Sequence, residues 1–349
     1  MPGNRTTSDS VQETFFSGAN TPQIQDEGSI MAYSLGCIEQ IRPTIEYRYT
    51  GNGSAFEHAR NVAEQLMREG SVVFFSITTR DNDVQLTPIY ADNILMLKAH
   101  ENPHMRSLLN ENQQKALTIA EELVRDVCAR YSSDYSRALA LHDYLVQNCQ
   151  YKIELHGKDT ANATTHLLLT RKGVCDSYTR TYGLLLSMAG IQNIFVAGTS
   201  EDGENHCWNL VLLENRWVHV DCTYSDPKPD EPGRILHSHF ALPDNLIERD
   251  RSWNRNLYPA AVSPELYYPY RYASFRSVYD LLVWCSRKKD GTYVTAYVEE
   301  LRAAGADIEK VNQLLGDASL RLRAAVIKTY ALDENLPGII ILKCGHPEP

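Results

Sequence analysis

The sequence predicts an α+β fold in which a helix carrying Cys175 packs on an antiparallel sheet, with small α/β units before and after it. Three observations predict it. Tyr178, Tyr182, Leu185, Leu186 and Ala189 repeat at helical spacing after Cys175. Three strand-like segments follow at 193–197, 206–213 and 216–221, the last two joined by a turn at Glu214-Asn215. Helix and strand patterns then alternate again on both flanks.

In chain order, residues 1–35 are Ser-, Thr-, Asn- and Gly-rich with few large apolar groups, and are expected to form a flexible polar tail. An accessory α/β unit is expected over 36–105. Residues 44–49 alternate as a strand, Ala59, Val62, Ala63, Leu66 and Met67 form a helical stripe stopped by Gly70, and 71–78 is β-branched and aromatic. A catalytic unit is expected over 106–245. It opens with two amphipathic helices at 112–131 and 134–148, and a third helical segment at 162–169 leads to Gly173 and the Cys175 helix. Beyond it come Pro227, Pro229 and Pro232 and an irregular stretch to about Tyr272. The C-terminal α/β unit, 246–349, carries strands at 292–298 and 338–342.

The 349 residues carry 34 basic and 44 acidic side chains, a net charge of −10 that disfavours nucleic acid and anionic membrane surfaces as partners. With 43% hydrophobic residues the chain can bury a sizeable core. No membrane span is expected, because the uncharged run 181–200 is punctuated by Gly183, Ser187, Gly190, Gln192 and Asn193. The first thirty residues lack a basic-then-apolar leader, so the expected compartment is the cytoplasm, or the exterior if a leader has been removed. Eight cysteines without paired spacing do not form a disulfide framework.

The chemistry concentrates in Cys175, His206 and Asp221. Cys175 falls in the first turn of its helix, where unpaired N–H groups and the helix dipole favour a thiolate and can donate to an oxyanion. His206 and Asp221 start and end neighbouring strands, so an antiparallel hairpin brings them side by side facing the helix. Alone, Cys175 would be read as an inert core thiol; the ordered trio makes it a nucleophile.

These residues lie in Gly173-Val-Cys-Asp-Ser-Tyr178, His206-Cys-Trp208 and Trp217-Val-His-Val-Asp-Cys-Thr223. Together with Leu139-Ala-Leu-His-Asp-Tyr-Leu145 and Tyr151, they resemble the transglutaminase-like superfamily of papain-like cysteine enzymes, over about residues 112–226. The resemblance implies a papain-like core. It also implies acyl transfer through a Cys175 thioester on a protein or peptide amide, with His206 as base then acid and Asp221 orienting it. Hydrolysis by a peptidase or amidase is favoured over transfer to an amine. The alternatives are a protein-glutamine transglutaminase, an arylamine N-acetyltransferase-like enzyme, and a non-catalytic binding module on the same fold. The chain departs from the family pattern at Cys207 and Cys222, where smaller residues are commoner; both are expected to point away from the catalytic side.

Other residues are read as structural. Trp208 is assigned to the core or to a substrate-binding cleft wall, His219 and His166 to structure or surface, and Tyr178 and Tyr182 to packing. His237 and His239 have no acidic or Cys partner nearby in sequence, so no metal is expected, and no cofactor either. A second oxyanion donor is expected among residues 162–166.

Overall fold

The computed structural model describes residues 21–68, 70–155, 159–226, 234–305, 307–322, 327–333 and 336–345. Most of the expected polar tail and all three of the expected prolines therefore lie outside the described residues. The chain divides by its internal contacts after Tyr90.

In the first unit, a four-stranded sheet runs in the order Gln23–Ile24, Ile45–Tyr49, Asp83–Tyr90, Val72–Arg80. Helices Glu27–Glu39 and Ala55–Arg68 accompany it. The first helix occupies part of the stretch expected to be a tail. Its apolar residues are gathered at 30–38, at the end of that polar stretch; Asp26 caps it, and Ile30, Cys37 and Ile38 reach the same core as Tyr47, Val62 and Leu66.

The second unit begins with the helix Asp92–Glu101, which lies within the 36–105 stretch expected to form the accessory unit. Its buried Asp92 carboxylate accepts from the backbone N–H of Thr164 (3.2 Å) and Thr165 (2.6 Å). Those donors belong to the first turn of the helix Ala163–Thr170, where an anion is electrostatically favoured.

Helices Glu111–Arg130 and Asp134–Asn148 pack with the helix Cys175–Met188 around Leu117, Leu141, Tyr182 and Leu185. Beside them lies a five-stranded antiparallel sheet, in the order Phe240–Leu242, Arg216–Val220, Asn205–Leu213, Asn193–Ser200, Arg251–Trp253. The hairpin turn is set by Glu214 and Asn215, both at positive φ (51° and 62°), as a tight two-residue turn between twisted strands demands. Gly183 allows the Cys175 helix to lie this close to the sheet: a Cβ there would sit 2.9 Å from Asn193 Oδ1 and 3.2 Å from Asn209 Nδ2.

Both edge strands fall in the stretch expected to be irregular. They are three residues long, too short for an alternating pattern to register, and Arg251–Trp253 also carries a buried charge. A second sheet, Ser274–Phe275, Tyr293–Val298, Ile339–Cys344, Ile327–Leu332, packs against helices Val278–Cys285 and Ile308–Leu322. The architecture is α+β, with the Cys175 helix packed on an antiparallel sheet as expected.

Candidate active site

Cys175 opens its helix, and Val174 before it supplies no side-chain cap, so the helix terminus carries its N–H dipoles to the thiol unscreened by a capping side chain. Gly173 is required by crowding: a Cβ would meet Ser177 Cβ at 2.7 Å and Leu167 Cδ1 at 2.8 Å.

The hairpin register pairs Asn209 with Val220, which sets His206 and Asp221 diagonally rather than directly opposite. The imidazole spans the offset, and its Nε2 meets Asp221 Oδ2 at 2.7 Å. Nδ1 is then the ring nitrogen available to the Cys175 thiol, which is within hydrogen-bonding reach of the ring. The structure thus brings together all three residues singled out in the sequence.

Asp221 is fully loaded. Its Oδ1 accepts from the backbone N–H of Thr223 (3.1 Å) and Tyr224 (3.2 Å), and its Oδ2 from His206 and from Arg251 Nε (3.1 Å) and Nη2 (2.8 Å). Burial opposes its charge, but His206 and Arg251 outweigh that and hold the carboxyl well below the usual range. Burial also disfavours a charged His206; the Asp221 carboxylate overcomes this and raises the imidazolium to about 9.

Two clefts share the thiol and the imidazole. The larger, about 710 Å³, is walled by Tyr151, Asp202, Glu204 and Tyr224 beside Cys175 and His206. The smaller, about 300 Å³, is mostly apolar, with Leu155, Val174, Phe195, Ala197 and Cys207. Burial pushes the Tyr151 phenol up to about 12, so it stands neutral in the wall of the larger cleft.

Several expectations change. Cys207 does not point away: it borders the smaller cleft and contacts the Cys175 thiol, and that contact, then burial, pushes its own thiol well up. The cause is local geometry. Thr179 Oγ1 donates to the Cys207 carbonyl at 3.0 Å, which holds this end of the strand against the helix that carries Cys175. Cys222 is buried in the main core.

Trp208 is 1% exposed and lies behind His206 rather than in a cleft wall, its Nε1 donating to His219 Nδ1 at 2.9 Å. His219 is buried and reaches Asp244 at 2.8 Å. Of the expected oxyanion donors, the N–H groups of Thr164 and Thr165 are taken by Asp92, and the Asn162 amide by Asp159.

His237 and His239 do have acidic partners, drawn from elsewhere in the chain. His237 Nε2 lies 2.8 Å from Asp143 Oδ1, and His239 Nε2 lies 2.7 Å from Asp250 Oδ2. His142, Asp143 and His237 offer ligand atoms within 4.8 Å of one another, with both imidazoles on the one Asp143 oxygen. The residue that sequence reasoning missed is Arg251, whose strand gave no periodic signal.

Residues 121–222 match the family model of the transglutaminase-like superfamily. The chain is 32% identical over 116 residues to a kyphoscoliosis peptidase of Mus musculus, a match covering 30% of this chain and 18% of that protein. It is 45% identical over 62 residues to a peptide-N(4)-(N-acetyl-beta-glucosaminyl)asparagine amidase of Caenorhabditis briggsae, covering 17% and 10%. The chain thus spans less than a fifth of the length of these curated relatives. Among solved structures, the periplasmic domain of TgpA from Pseudomonas aeruginosa is 20% identical with a TM-score of 0.28, covering 41% of this chain and 53% of that one. No helix among the described residues is long and apolar enough to cross a membrane. Cys175, His206 and Asp221 all lie within the matched segment, and over it the chain is transglutaminase-like.

Proposed function

We propose that the chain is a cysteine enzyme that cleaves a protein or peptide amide through a thioester on Cys175, with His206 and Asp221 completing a triad. The observation that carries this reading is the position of His206, bonded to Asp221 at 2.7 Å by Nε2 and within reach of the Cys175 thiol. The family match and relatives named as a peptidase and an amidase support thiol-dependent chemistry in general, and those two names favour hydrolysis over amine transfer.

The Cys175 thiolate attacks the amide carbonyl carbon, forming a C–S bond. As the C–N bond breaks, the His206 imidazolium gives its proton to the leaving amine. Neutral His206 then takes a proton from water, whose oxygen attacks the thioester, and the thiolate leaves with release of the acid. Asp221 keeps Nε2 protonated and Nδ1 directed at the reaction throughout.

The test is intact-mass detection of an acyl adduct on Cys175 after mixing with Gln-containing peptides, with and without a primary amine. An adduct that decays to free acid even with amine present supports hydrolysis. Diversion to the amide product would establish transamidation instead. No adduct and no turnover across the panel would leave a binding module on an enzyme fold.

A further inference from the structure

We propose that Arg251 is a positioning residue of this site: its buried guanidinium clamps the Asp221 carboxylate in the orientation that His206 uses. The proposal rests on the triad reading above. The Arg251 side chain is 0% exposed, and every edge of its fork is engaged. Nε and Nη2 bind the same Asp221 Oδ2 that receives His206, at 3.1 and 2.8 Å. Nη1 donates to the Asp250 carbonyl at 2.8 Å, and the face of the guanidinium lies 3.5 Å from the Tyr224 ring centroid.

Arg251 arrives from the edge strand, whose register sets it opposite Ser200, two strands away from His206. With the Thr223 and Tyr224 N–H groups on Oδ1, this fixes the carboxylate at both oxygens. A carboxylate held only by an imidazole and two backbone groups could swing Oδ2 away from His206; one gripped by a planar fork cannot.

The second effect is electrostatic. One oxygen serves two cations, so the guanidinium competes with the imidazolium for the same negative charge. The groups facing His206 are Cys175, Asp221, Arg251 behind the carboxylate, the Tyr224 ring at 5.3 Å, and Tyr151, Asp202 and Glu204 around the larger cleft. Asp250 and His239 stand beyond Arg251, paired with each other at 2.7 Å. Of the cations in this set, Arg251 alone is permanently charged, so removing it must strengthen the hold of His206 on its proton.

The experiment is the pH profile of Cys175 alkylation by iodoacetate, followed by intact mass and peptide mapping on the full chain and its Arg251→Met and Arg251→Lys variants. The imidazolium assists approach of this anion, so the wild-type rate falls on the alkaline side as His206 deprotonates near pH 9. In Arg251→Met the alkaline limb should move up by about half a pH unit or more, with a roughly 10-fold lower plateau. Arg251→Lys keeps the charge but not the fork, so its limb should stay in place while its plateau falls several-fold.

A folded Arg251→Met protein with the wild-type limb overturns the inference. If that variant does not fold, an Arg251→Lys protein with an undiminished plateau does the same. A wild-type chain whose Cys175 reacts no faster than an ordinary thiol overturns the triad reading itself, a result distinct from both.

Discussion

Thr179 and Cys207 are joined by a hydrogen bond from the Thr179 hydroxyl to the Cys207 carbonyl at 3.0 Å, which ties the nucleophile's helix to the strand that carries His206. Asn209 Nδ2 returns the contact, donating to the Thr179 carbonyl at 3.1 Å. The distance between thiol and imidazole is thus set by a short bracket of buried polar bonds, independent of the charges it positions.

Thr179→Val, nearly equal in volume, should remove the hydroxyl half of that bracket and leave the buried Cys207 carbonyl short of a donor. We expect a loss of about 1–3 kcal/mol in unfolding free energy, measured by urea titration, together with slower alkylation of Cys175. An unchanged alkylation rate would show that the helix position does not depend on Thr179.

Cys175 should be the one cysteine alkylated quickly by iodoacetamide at neutral pH. Burial pushes the thiols of Cys149 and Cys222 up, and contact with Cys175, then burial, does the same to Cys207. Peptide mapping after brief labelling checks this; Cys207 modified first would reverse the assignment of the nucleophile. Cys175→Ala should retain the fold, with a melting temperature close to wild type.

Asp221→Asn should preserve shape while disturbing the imidazole tautomer. The corresponding change in a serine-protease triad costs ~10⁴ in turnover. A thiol that is already partly ionised depends less on its base, so we expect a loss of roughly 10- to 10³-fold in acyl-enzyme formation. His206→Ala should cost at least as much, and the double variant should fall short of the product of the two. Strict multiplicativity in stopped-flow acylation rates would mean that the pair does not act as a unit.

Stability should fall with alkalinity through His206. Its folded pKa, about 9, lies above the ordinary value of 6.5, so the stabilisation is complete below about pH 6 and fades as pH rises through 9. Because His206 is only 8% exposed, this is worth on the order of 3 kcal/mol. Urea midpoints between pH 6 and 10 should decline more steeply for the wild type than for His206→Gln; parallel curves would remove His206 as the source.

The core of the site was legible because its signals are local. Helical spacing marks the face of Tyr178, Tyr182 and Leu185, and a two-residue turn at Glu214-Asn215 is enough to bring the His206 and Asp221 strands together. What the sequence hides is fixed at long range. Arg251 sits in a three-residue strand whose pairing with 198–200 has no periodic signature, and the Asp143 partner of His237 is 94 residues distant. Cys207 shows where strand alternation fails as a guide: it sorts side chains between the faces of a sheet, but the contact of Cys207 with the Cys175 thiol is made at the strand's end, where the helix is tied to the strand by Thr179.

The sharing of Cys175 and His206 between the acid-walled and the apolar cleft makes the thiol a doorway rather than the floor of a pit. A molecule lodged on one side leaves the opposite approach open, so occupancy of the two sides need not be exclusive. An inhibitor grown from the apolar side would therefore have to cross the sulfur before it could shut out a ligand arriving from the other.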